Sequence, residues 1–146
     1  MFIITHDLEA ALVCDKTAIL REGKLLDFDT PHNLISSLPS NGLLARLSIE
    51  NLTGEIIDII KNFKYCAEVS RVGNDVVEIF LEDFEEHLLP LIDYLLEKDI
   101  KIIAMSRDVA NFRRYFQIRI KIEEEKEKRQ LRQNDLKIDK LGEKNR

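Results

Sequence analysis

Between residues 43 and 105 the apolar side chains alternate between the two-residue period of a strand and the 3.6-residue period of a helix. Residues 43–49 read as a strand. Residues 53–63 read as a helix with Ile56, Ile57, Ile60 and Phe63 on one face. Residues 66–72 and 76–81 flank Gly73-Asn74-Asp75 and read as a hairpin. Residues 84–96 form a second amphipathic helix, with Phe84, Leu88, Leu91 and Leu95 as the buried stripe and Ile92 widening it. Pro90 inside that helix predicts a kink or a late start. Residues 100–105 close the series as a strand. The order is β-α-β-β-α-β, the ferredoxin-like split arrangement of an α+β fold, with two helices over one face of a four-stranded antiparallel sheet.

Ser, Pro, Asn and Gly cluster at residues 36–42, and this break separates the series from what precedes it. Upstream, residues 1–5 are apolar and β-branched and read as a buried strand. Asp7 is placed to cap a helix over residues 8–14. Residues 17–20 and 25–28 flank the turn Arg21-Glu22-Gly23-Lys24 and read as a hairpin. Thr30-Pro31 starts a further helix, with proline in its first turn. Downstream, Ser106-Arg107-Asp108 reads as the cap of a last helix carrying Val109, Phe112 and Phe116 on one side. That helix continues into residues 121–146, where 16 of 26 side chains are charged, so it ends as a solvated helix or a disordered tail. The predicted organisation is a strand-helix-hairpin-helix segment over residues 1–37 and a linker over 38–42. A ferredoxin-like domain follows over 43–120, then a charged helix or tail over 121–146.

The chain carries a net charge of −5, and no domain-wide basic field exists for nucleic acid to meet. No apolar run is long enough to span a bilayer, and the start lacks the features of a secretory signal. Cys14 and Cys66 have no metal spacing and no partner histidine, so a reducing, cytoplasmic setting with free, buried thiols is expected. Glu82, Asp83, Glu85 and Glu86 read as favourable charge at a helix start rather than a metal site. His32 and His87 read as solvated. Phe112, Tyr115 and Phe116 read as packing residues rather than a platform for bases. Residues 123–129 read as a solvated helix face, and Leu131, Ile138 and Leu141 offer only a short apolar seam.

His6 is the candidate for chemistry. Ile3-Ile4-Thr5-His6-Asp7 reads as a strand delivering a histidine at its C-terminal end, where open α/β sheets bind ligands. An imidazole there can donate to a phosphate or orient a water.

The segment FIITHDLEAALVCDKTAILREGKLLDFDTPHNLI resembles the closing part of the ATP-binding subunit of ABC transporters. Four elements carry the resemblance, in order: the strand ending at His6-Asp7; the helix start Leu8-Glu9-Ala10-Ala11; the Asp15-Lys16 hairpin with Gly23; and the Thr30-Pro31 helix. The family's second glutamate is replaced by Ala10. The resemblance covers about residues 2–37 and implies that His6 is the switch histidine of the H-loop, which contacts the γ-phosphate of ATP. It also implies ATP and Mg²⁺ in the complete subunit, a membrane-spanning transporter partner, a second ATPase subunit, and a cytoplasmic location against the membrane. The glycine-rich phosphate loop, the signature motif and the Mg²⁺-binding strand of that family are missing from this sequence. No hydrolysis and no cofactor are therefore expected of the chain alone. Residues 43–118 are similar in pattern to the appendix domains of drug-exporting members, which implies a regulatory or dimer-forming role and a possible homodimer. The other expectation from the residues is a stand-alone, non-enzymatic module that dimerises or binds an effector.

Overall fold

The computed structural model describes residues 2–144. One compact unit ends at Phe112, and a second begins at Arg113. The first holds β1 (Thr17–Arg21), β2 (Lys24–Asp29), α1 (Pro31–Ser36), β3 (Leu43–Ile49), α2 (Gly54–Lys61), β4 (Cys66–Arg71), β5 (Val76–Leu81), α3 (Phe84–Glu97) and β6 (Ile102–Val109). The helix α4 (Phe112–Lys144) starts on the last residue of the first unit and makes up the second from Arg113 on.

The larger sheet has the strand order β4-β5-β3-β6, and every neighbouring pair is antiparallel. With two helices between its strands, this is the ferredoxin-like topology expected from the apolar periods. Opposed residues in an antiparallel ladder share a face, so Leu47 opposite Val77 and Ala45 opposite Ile79 line one side. That side, with Ile49 and Val69, packs against Ile60 of α2 and Leu91 and Leu95 of α3. Leu47, Ile49, Ile60, Val77, Ile79, Leu91 and Leu95 have no exposed surface.

Local chemistry sets the helix boundaries. The Thr53 hydroxyl accepts from the Ile56 amide ahead of α2, and the Asp83 carboxylate accepts from the Glu86 amide ahead of α3. The expected late start of α3 does not occur: the helix begins at Phe84 and runs through Pro90. Pro90 is exposed, so water can reach the carbonyl left without its amide partner. At the β4–β5 hairpin the Arg71 side chain donates to the carbonyls of Gly73 and Leu52, closing the turn over the end of β4.

The strand β6 is longer than expected. Ser106, Arg107 and Asp108 belong to it, opposite Arg46, Ala45 and Leu44 of β3, and do not cap the last helix. Their polar side chains hide a strand whose identity comes from its neighbour. The last helix is continuous from Phe112, as its Glu/Lys/Arg content favours. Arg119 and Glu123, one turn apart on α4, bond at 2.9 Å. Leu131, Ile138 and Leu141 are exposed along its C-terminal half.

The beginning of the chain differs most from expectation. Residues 2–5 form no strand, and Phe2 and Ile4 are 84% and 85% exposed. An apolar run becomes a strand only where another strand accepts its backbone bonds, and residues 2–5 are paired with neither sheet. The helix expected over residues 8–14 shrinks to one 3-10 turn, Ala10–Val13. Only Ala11 is buried in it, and so short a helix without a packed face is not stable. The β1–β2 hairpin turns through Glu22 and Gly23, both at positive φ, as the two-residue connection of a twisted hairpin requires. Amide hydrogen exchange should follow this gradient: residues 2–16 exchange fastest in the first unit, and β3 and β5 slowest. Equal protection of the two groups would contradict the description.

Candidate functional site

His6 is exposed at the end of an extended segment. The Asp7 amide donates to the Thr5 hydroxyl at 2.9 Å, and the Glu9 amide donates to the Asp7 carboxylate at 3.0 Å. Asp7 thus makes a local turn with Glu9 but does not cap a helix as expected, because the 3-10 turn that follows starts at Ala10 with Glu9 ahead of it and no side-chain cap. Thr17 donates to the Ala11 carbonyl at 3.4 Å, which ties this turn to β1. His6 can offer one hydrogen bond to an incoming oxygen. In sequence it is flanked by Asp7, Glu9 and Asp15, and no Lys or Arg occurs before Lys16. Among the described residues no group of His, Cys, Asp and Glu is arranged to bind a metal ion.

The Thr30-Pro31 start of α1 is formed as expected. The Thr30 hydroxyl accepts from the Asn33 amide at 3.1 Å. The Thr30 amide, and then the Asn33 side chain, hold the Asp29 carboxyl below its usual range. The residues after α1 form a firm joint. Ser40 and Asn41 adopt left-handed backbone with φ of 52° and 57°, and Gly42 follows at 84°. A side chain at Gly42 would meet the Ile35 carbonyl oxygen at 3.1 Å. The Ser40 hydroxyl accepts from the Phe84 amide at 2.8 Å and donates to the Leu81 carbonyl at 3.0 Å. The polar side chain of residue 40 thus bridges the β5–α3 junction. Nothing in the sequence pattern pointed to this clamp, because a Leu-Pro-Ser-Asn-Gly run reads as a flexible connection.

A charged cluster was also missed. Arg46 donates to Glu78 at 2.7 Å and lies 3.5 Å from Asp108, linking β3, β5 and β6. Glu78 is buried, and its bond raises the pKa of Arg46 further. The available signal was one charge of opposite sign in the middle of each of two apolar strands, Leu-Ala-Arg-Leu and Val-Val-Glu-Ile.

The remaining candidates separate in space and role. Asp83 caps α3, and Glu85 bonds Arg107 at 3.0 Å. His32 is exposed on α1. His87 is not simply solvated: its ring is half-buried and stacks on Tyr65 with centroids 3.8 Å apart. Phe112 and Tyr115 are buried and present no ring face to solvent. Cys14 and Cys66 are free and half-buried. Cys14 donates to the Ala10 carbonyl. Burial, and then the Glu68 carboxylate, push the Cys66 thiol up to about 11. At pH 8 its thiolate fraction is then about one in a thousand. Cys66 should accordingly react with iodoacetamide about a hundred times more slowly than a free cysteine, as peptide mapping would show. Matching rates would mean that β4 opens readily.

Comparison with family models and with curated proteins yields no match for this chain.

Proposed function

We infer that the chain is the closing part of an ABC transporter ATP-binding subunit with an appended ferredoxin-like domain. His6 serves as the switch histidine of a complete cassette. The observation that carries this reading is the succession from Thr5-His6-Asp7 through the Glu22-Gly23 hairpin to the Thr30-capped, Pro31-started helix. The exposed Phe2, Ile3 and Ile4 support it, because such a run is suited to a parallel sheet covered on both faces. No helix among the described residues is long and apolar enough to cross a membrane. The subunit would work from the cytoplasmic side, with a membrane-spanning subunit and a second ATPase subunit as partners. His6 would contribute a hydrogen bond to the terminal phosphate. The phosphate cradle and Mg²⁺ ligands come from the rest of the cassette. The domain expected over residues 43–120 would regulate or pair the subunits.

The second reading, a stand-alone pairing module, is favoured by one observation: the main apolar core draws only on residues between Leu47 and Ile102.

A graft tests the first reading. Residues 2–37 replace the closing segment of a characterised ABC ATPase, and ATP turnover is measured. The graft should retain turnover within about tenfold of the parent. A folded graft that binds ATP but does not turn it over would remove the reading.

A further inference from the structure

The larger sheet ends on one side in β4 and on the other in β6. An unpaired edge presents a row of amides and carbonyls to any strand that fits, and proteins blunt such edges with charge or cover. Each edge carries one acid and one base, Glu68 and Arg71 on β4 and Asp108 and Arg107 on β6, and those of β6 are both ion-paired within the chain, with Arg46 and Glu85. The strand β6 is eight residues long, and residues 103–107 are all exposed. Ile103, Met105 and Val109 are 60%, 50% and 57% exposed, unusually high for apolar side chains on a strand beside the core.

The hydrogen-bond phase of β6 follows from one bond. Ala110 donates to the Gly42 carbonyl at 2.8 Å, just beyond the β3–β6 pair of Leu43 with Val109. Backbone groups alternate in direction along an antiparallel strand, so Ser106, Asp108 and Ala110 point at β3. Met105, Arg107 and Val109 point outward. The Val109 amide accordingly takes the Asp108 carboxylate instead of a strand partner.

The helix above this edge continues the apolar strip. Arg107 bonds Glu85 of α3 at 3.0 Å and lies over the Phe84 ring, which fixes the flank of α3 that borders β6. At helical spacing Glu85, Leu89 and Leu96 share that flank. Leu89 and Leu96 are 71% and 55% exposed. The exposed edge of β6 and this flank of α3, joined through Arg107 and Glu85, together make an apolar band that carries that ion pair.

We propose that this band pairs with a second copy of the chain, β6 against β6, to make one continuous eight-stranded antiparallel sheet. The occupant follows from self-complementarity. A two-fold axis normal to the sheet keeps both pairs of helices on the same face, and it requires the axis to pass through a residue of β6. Placed at Ser106, it opposes Ile103 with Val109 and Met105 with Arg107, each twice. The outward groups of Met105 and Arg107 then exchange four ladder hydrogen bonds, and the second Arg107 comes within reach of Glu85 across the axis. Placed at Ala104, the axis would set Lys101 against Arg107. Placed at Met105, it would leave Val109 opposite Lys101, outside the strand. The Leu89 and Leu96 flanks meet above the new strand pair. This dimer gives a surface and a register to the pairing role read for the domain expected over residues 43–120, and it rests on that part of the functional reading alone.

The register makes a cross-link test direct. In the 146-residue chain carrying Cys14→Ser and Cys66→Ser, Ser106→Cys places two thiols across the axis at a non-hydrogen-bonded pair. The Cα separation there is about 4.5 Å, within disulfide range. Mild oxidation should give a covalent dimer, while Ala67→Cys on the β4 edge gives none. Met105→Lys, which sets a lysine against Arg107, should weaken the dimer about a hundredfold in sedimentation equilibrium while circular dichroism stays unchanged. His6→Ala should leave the dimer intact, so failure of the cassette reading does not affect this result. A folded chain that stays monomeric overturns the proposal. So does a dimer that survives Met105→Lys and does not cross-link at residue 106, because it would pair elsewhere, for example through Phe2 and Ile4.

Discussion

In the grafted cassette, His6→Ala is expected to lower ATP turnover by about 100-fold or more, the usual loss when one positioned hydrogen-bond donor is removed from a reacting phosphate or acyl group. The Michaelis constant for ATP should move much less, because nucleotide binding rests on the phosphate cradle supplied by the rest of the cassette. In the isolated chain the same change should leave stability within about 0.5 kcal/mol, since His6 is exposed and packs against nothing in the core. This split separates a functional histidine from a structural one. Equal turnover of the two grafts would show that the position is an ordinary strand end. A large loss of stability in the isolated chain would show that His6 holds the fold.

Leu47→Ala should be the most destabilising single truncation in the sheet, at about 3 kcal/mol, with a range of 2–5 for buried leucine. Leu47 has no exposed surface and sits in the central strand, with Val77 opposite on one side and Met105 on the other. Val77 is held in the β3–β5 ladder, and Leu91 and Leu95 close the core it shares with Leu47. The cavity therefore has little room to collapse. Since small domains are stable by about 5–15 kcal/mol, the loss should be plain in the urea midpoint at an unchanged slope. Leu131→Ala on the exposed part of α4 makes the comparison, and it should shift the midpoint little.

How far the sequence disclosed this structure depends on the range of the interactions concerned. The strand Val76–Leu81 and the helix α3 were legible to within a residue, because their apolar periods and the Asp83 cap are local facts. The β1–β2 turn was legible through Gly23. The polar end of β6 was not, because Ser106, Arg107 and Asp108 become a strand only through pairing with β3. Residues 2–5 erred the other way: their composition suits a strand, yet neither sheet in the chain receives them. The stacking of His87 on Tyr65 joins α3 to the loop before β4 and leaves no mark in either segment alone. For the candidate site, the sequence located His6 and the start of its turn at Asp7. It did not disclose the Arg46–Glu78–Asp108 cluster, which three strands assemble.

The left-handed run Ser40-Asn41-Gly42 bears on how the two ends of the first unit can move. A connection of this composition would ordinarily act as a swivel and tolerate added length. Here residue 40 is bolted to the first amide of α3, 44 positions along the chain. A rotation applied to α1 would therefore arrive at the sheet as torque instead of being absorbed as slack. Lengthening the joint by even one residue would uncouple the two while leaving each of them folded.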